Sequence, residues 1–160
     1  MTSEPGRSEK PTGLPKAEFA LPGPLRRTLR DRLVAAILDD SKTSTTGLLV
    51  VYEHGNEALP TVGARSLLVD SAERPLAVLE VTAVRVTELA RVDLDHVRDE
   101  GEGHRTVAEW RAGLERFWHS AQMRAALGDA AFTVGDTTLV VLERFRVVER
   151  LAPSFGSPAC

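Results

Sequence analysis

The chain lacks most of what would mark a stapled, metal-held or membrane-bound protein. Its only cysteine is Cys160, so no disulfide can form within it and no Cys-x-x-Cys metal site exists. His54, His96 and His119 show no H-x-x-x-H relation, and His104 has no spaced partner set, so no metal and no cofactor is expected. No apolar run approaches the ~20 residues of a membrane helix, and the first twenty residues are polar and proline-rich with no signal-peptide core. That predicts a cytoplasmic chain with no membrane partner. Charge of one sign is also missing: 20 Lys and Arg stand against 23 Asp and Glu, a net charge of −3. Any nucleic-acid binding must therefore come from a local patch rather than a global field.

What remains is an ordinary globular composition, 42% hydrophobic over 160 residues, enough for one domain with its own core. Residues 1–17, with Pro5, Pro11 and Pro15 among Gly, Ser, Thr, Glu and Lys, and residues 151–160 read as disordered tails around a domain at 18–150. Gly23-Pro24 opens a helix in which Leu25, Leu29, Leu33 and Ile37 recur every fourth residue, running to about Asp39. Its outer face carries Arg26, Arg27 and Arg30, either a solvated helix face or a patch for phosphate. Residues 65–70 and 76–86 predict two strands around a turn, and 137–149 a closing strand. The second and third are apolar on both sides, as in a small barrel or between covering layers. Thr106-Val-Ala-Glu109 is a capping box. Val107, Trp110, Leu114, Phe117, Ala121 and Ala125 then draw one buried stripe until Gly128. On that stripe Trp110 reads as core rather than as a base-stacking platform. The element order argues an α+β fold.

Two polar clusters could carry chemistry. Asp40 to Gly47 is dense in hydroxyls and includes Lys42 and Thr45. Those two, three apart, would face opposite ways on a strand but meet on a tight bend. The segment is otherwise a plain helix-terminating loop. Asp99 to Arg105 holds Glu100, Glu102, His104 and Arg105, with Gly101 and Gly103 between them allowing close approach to a ligand. Without a ligand it is an acidic surface loop.

Taken in order, Lys42-x-x-Thr45 after an amphipathic helix, Glu100-Gly-Glu-Gly-His-Arg-Thr106 before Trp110-Arg111, and the strand from Glu143 to Val148 resemble the ASCH domain family, related to the PUA RNA-binding fold. The resemblance spans residues 18–149. It implies a single domain with a small PUA-like β-barrel and flanking helices, and RNA or a modified nucleoside as partner. It also implies, for a member that hydrolyses N4-acetylcytidine, an amidohydrolase site at Lys42, Thr45 and Glu102. Arg105, His104, Glu100, Arg26 and Arg27 are the expected ligand-binding residues around it. Asp40 stands where the family motif has glycine, His104 where the longer members have aspartate, and Leu114 where they have histidine.

In a hydrolase of this kind Thr45 attacks the acyl carbon, Lys42 must be neutral to take its proton, and Glu102 serves the departing amine. In a ribonuclease acting on single-stranded RNA, Lys42 and Arg105 would steady the phosphoryl oxygens while Glu102 or His104 moves a proton. A binding module without turnover would use the same cations on phosphate.

Overall fold

A computed structural model describes residues 13–17, 19 and 26–151. Its elements are α1 (Arg26–Leu38), β1 (Ser44–Leu48), α2 (Leu49–His54), β2 (Arg65–Val69), β3 (Pro75–Glu88), α3 (Leu94–Asp99), α4 (Val107–Trp118), α5 (Ala121–Leu127) and β4 (Leu139–Arg150). The four strands form one antiparallel sheet in the order β1-β4-β3-β2, curled into a half-barrel. The expected α+β half of the argument and the barrel-like sheet are both present.

Two helical groups cover opposite faces of the sheet at opposite ends. On one face, Val34 and Ile37 of α1 pack on Leu68, Ala77, Leu79 and Phe145. On the other, Val97 of α3 and Trp110 and Trp118 of α4 pack on Leu48, Val140 and Leu142. The strand alternation follows from this: Leu48, Val140 and Leu142 point to the α3 and α4 side, and Phe145 points to the α1 side. Only the first half of β3 is enclosed, where Ala77, Val78, Leu79 and Val81 are buried. Beyond Val81 the register shifts at a bulge, and Val86 is left exposed.

Three sequence expectations need revision. The segment after α1 is not only a loop, because residues 44–48 pair with β4 as an edge strand. The stripe from Val107 does not run on to Gly128: His119 ends α4 and Ser120 caps a separate α5, accepting from Met123 N, so Ala121 and Ala125 are exposed. Within the expected N-terminal tail, Pro15–Ala17 lie along β2, with Ala17 N donating to Leu67 O at 2.8 Å and Leu67 N to Pro15 O at 2.8 Å. Phe19 meets Phe145 edge to face, ring centroids 5.9 Å apart. Residues 1–12, the helix start at Gly23-Pro24 and the tail at 152–160 lie outside the described residues. The expected strand 65–70 and its hairpin with β3 match the observed pairing of Arg65 through Val69.

Candidate functional site

Lys42 sits where α1 turns into β1. The turn uses Asp40 at φ 65°, left-handed backbone that suits glycine and that Asp tolerates, so aspartate at the family's glycine position keeps the bend. Lys42 itself is only 5% exposed. Its Nζ donates to Ser44 O at 2.8 Å and to Glu100 O at 3.2 Å. Both acceptors need it. Thr43 O accepts from Phe145 N of β4, so the next carbonyl, Ser44 O, faces away from the sheet at the open edge. Glu100 O lies at the C-cap of α3, where a cation is favoured.

The two polar clusters are clasped backbone to backbone. Thr43 N donates to Asp99 O at 2.7 Å, and Gly101, at φ 72°, passes so close that a Cβ there would sit 2.6 Å from Ser41 O. Only glycine allows that approach. The Arg144 guanidinium adds an ion pair to Asp99 at 2.7 Å.

Behind Lys42 lies a buried polar network. The Trp110 indole donates to Glu100 Oε2. Ser44 Oγ donates to His96 O at 3.1 Å, Thr46 Oγ1 and His96 Nε2 are 2.8 Å apart, and His96 Nε2 is 3.9 Å from Glu100 Oε1. Burial pushes the Lys42 amine below its ordinary range, with the carboxylates of Glu100, Glu102 and Glu143 pulling it back up. Burial pushes the Glu100 carboxyl up, opposed by Lys42, the Trp110 indole and Thr46. Both partners of this pair thus move toward their neutral forms. His96 is lowered to about 4 by burial and by the Arg144 charge, so its ring is neutral near pH 7.

Strand alternation sorts the hydroxyls. Ser44 and Thr46 join the His96 network, whereas Thr45 projects from the other face, directly across from Glu143 of β4. Burial raises the Glu143 carboxyl, and Lys42 opposes the shift. Glu102 is more than half exposed, 3.6 Å from His104 Nε2, and His104 Nδ1 is 3.6 Å from Glu109 Oε1. His104 thus bridges two carboxylates. Arg105 is exposed, Arg27 is exposed on α1, and the side chain of Arg26 lies outside the described residues. Leu114 packs against the α4 core. The described contacts join Lys42 to Ser44, Glu100 and the charges of Glu102 and Glu143, and the strand register sets Thr45 across from Glu143, while the hydrogen-bonded network does not extend to Thr45, Arg27 or Arg105 among the described residues.

Sequence reasoning missed Ser44, Thr46, His96, Glu143 and the nearby Tyr52. One signal was available: His96 and Glu100 are four apart, the spacing at which helical side chains meet. The cross-sheet neighbours had no such local trace. Among the described residues no group of three His, Cys, Asp or Glu side chains is placed to hold a metal, and no helix is long and apolar enough to cross a membrane.

A family model for the ASCH domain matches residues 19–149. Among solved structures, the chain is similar to an ASCH domain from Lactobacillus crispatus, at 24% identity over 84% of this chain and 79% of that one, with a TM-score of 0.71. It is also similar to a protein from Enterococcus faecalis, at 24% identity over 81% of this chain and 76% of that one, with a TM-score of 0.67. No curated protein matches it. The structural neighbours speak to the fold, and the family model spans nearly all of the domain. The chain belongs to the ASCH domain family, a PUA-like fold associated with RNA binding.

Proposed function

We propose that the site around Lys42 takes the base of a modified nucleoside or of RNA, and that it hydrolyses an N-acyl amide of the N4-acetylcytidine type. The observation that carries this reading is the state of Lys42. Its amine is buried, shifted toward neutrality, and spends two N–H bonds on Ser44 O and Glu100 O. A neutral amine so held keeps its lone pair free in a set direction, which is what a general base requires.

Thr45 Oγ would then attack the acyl carbon as Lys42 takes its proton. The tetrahedral intermediate collapses with cleavage of the C–N bond, and the proton passes from Lys42 to the departing amine, with Glu102 at the mouth as relay. Water releases the acyl group from Thr45 as a free acid. His104, held between Glu102 and Glu109, would steady Glu102 there.

Electrostatics favour this over cleavage of a phosphodiester. With Lys42 shifted toward its neutral form and the carboxyl groups of Glu100, Glu102 and Glu143 acting on it, the site offers little cationic charge to a phosphate, whereas a neutral amide needs none. Arg105 and Arg27, exposed and outside the network, would meet the phosphates of a longer RNA at the rim.

The test is incubation of pure protein with N4-acetylcytidine and, separately, with single-stranded RNA. Acetate release that is lost in Lys42→Ala and in Thr45→Ala, with activity in the parent rising as pH rises through the lowered Lys42 pKa, is expected. Shortened RNA, or RNA bound with no acetate formed, would overturn the amidohydrolase reading.

A further inference from the structure

On the face of the sheet that carries Thr45, one row runs Thr45, Glu143, Val84 across β1, β4 and β3, and the next runs Gly47, Val141, Val86. Gly47 has a visible reason to be glycine. A Cβ there would come within 3.3 Å of the Tyr52 ring, so the ring lies directly against the strand, diagonal to Glu143. At its far end this face is closed by α1 over Phe145 and Leu79, but Val84 is only half-buried and Val86 is 40% exposed. Glu143, half-buried in the middle, makes no side-chain hydrogen bond or ion pair among the described residues, unlike Glu100. Its oxygens are met by solvent rather than by a protein donor, which leaves an acceptor on this face, beside an aromatic ring and two valines, for an incoming N–H.

We infer that Glu143 and Tyr52 form the base-reading part of this site, in which Glu143 accepts a hydrogen bond from an N–H on the edge of a pyrimidine base lying between the Tyr52 ring and the Val84–Val86 wall. The inference rests on the nucleoside reading above and adds to it the two residues that would choose the base. Tyr52 contributes a face on which any base can lie, and Val84 and Val86 an apolar floor. Glu143 contributes the selectivity, because its carboxyl oxygens accept from a ligand edge that carries an N–H and gain nothing from one that offers no donor. It also stands directly across from Thr45, so a base fixed by Glu143 places its exocyclic substituent toward the threonine hydroxyl. Burial raises the Glu143 carboxyl, and in either protonation state at least one oxygen remains an acceptor.

The experiment is a binding titration followed by protein NMR, using cytidine, uridine and N3-methyluridine, the last lacking any N–H on its base. The parent chain should bind cytidine and uridine at least about tenfold more tightly than N3-methyluridine, the value of one charge-assisted hydrogen bond. Glu143→Leu, which removes the acceptor, should narrow that ratio to within about twofold, and Tyr52→Leu should weaken all three ligands while leaving the ratio. Cytidine should also shift the Tyr52 ring signals in the parent, a readout that needs no variant to fold. A parent with no preference for N–H ligands, unshifted Tyr52 signals, or an unchanged ratio in a folded Glu143→Leu would overturn the inference. If acetate is still released from N4-acetylcytidine in that case, the Lys42 site stands and only the base-reading role falls. If no nucleoside binds the parent at all, both fall together.

Discussion

The run Asp99 to Arg105 is divided into two parts that share a composition and little else. Glu100 is 5% exposed, bonded by Trp110 and backed by His96 and Thr46, with its carboxyl driven toward the neutral form. Two residues later, Glu102 stands in solvent beside His104, and Arg105 is exposed. The boundary is Gly101, whose backbone lies against Ser41 and Lys42, whereas Gly103, also left-handed at φ 80°, has open space where a Cβ would go. Burial rather than residue type thus separates a framework carboxyl from an exposed surface one, since the burial that raises Glu100 is absent where Glu102 stands in solvent.

The largest effect should come from breaking the inner part. Trp110→Ala should cost about 3–5 kcal/mol by chemical denaturation, as large core truncations do, and it leaves the Glu100 carboxyl without its indole donor. A loss below about 1 kcal/mol would show that the inner part is not tied to the core.

Acid should reveal the same asymmetry. The folded-state pKa of His96 is depressed from 6.5 to about 4, so the folded chain binds fewer protons than the unfolded one between those values. Its contribution to stability is therefore present above about pH 6.5 and is lost as pH falls toward 4. Between pH 7 and pH 4 the parent should lose about 3 kcal/mol more than His96→Gln. The raised carboxyls Glu100 and Glu143 have the opposite sign, losing stability as pH rises, so the difference between parent and variant is the quantity to measure. Equal losses in the two proteins would place the His96 ring in water.

The glycines sharpen the boundary. Gly101→Ala should cost about 2–3 kcal/mol, combining left-handed strain with a collision against Ser41 O, while Gly103→Ala should cost about 1 kcal/mol from strain alone. Similar values at both positions would remove the clasp between the two clusters. The smallest effect is expected outside: Glu102→Gln and Arg105→Ala should each move stability by less than about 0.5 kcal/mol.

Much of the fold was legible because it is written locally. The Thr106 half of the capping box is present, with Thr106 Oγ1 accepting from Glu109 N at 3.1 Å, while Glu109 Oε1 lies 3.6 Å from His104 Nδ1. Trp110 is buried at 1% exposure as its stripe required, and the β2–β3 hairpin follows from apolar alternation around a turn. The edge strand β1 escaped notice because Ser-Thr-Thr-Gly has no apolar alternation, and its pairing with β4 spans about a hundred residues of chain. Lys42 and Thr45 were conspicuous by type, but whether they share a face depended on that strand. Glu143 looked like one charge in a strand until its cross-strand partner was known.

The sequence by itself determined the start of α4, the long strands, the aromatic core of α4 and the two clusters rich in ionisable groups, since capping, periodicity and turn chemistry act over a few residues. Only the tertiary structure decided which carboxyl is buried, that Lys42 bonds Ser44 O and Glu100 O, that Thr46 rather than Thr45 meets His96, and that Thr45 faces Glu143. The physical reason is that desolvation and cross-strand register are properties of distant segments brought together, and no local spacing encodes them.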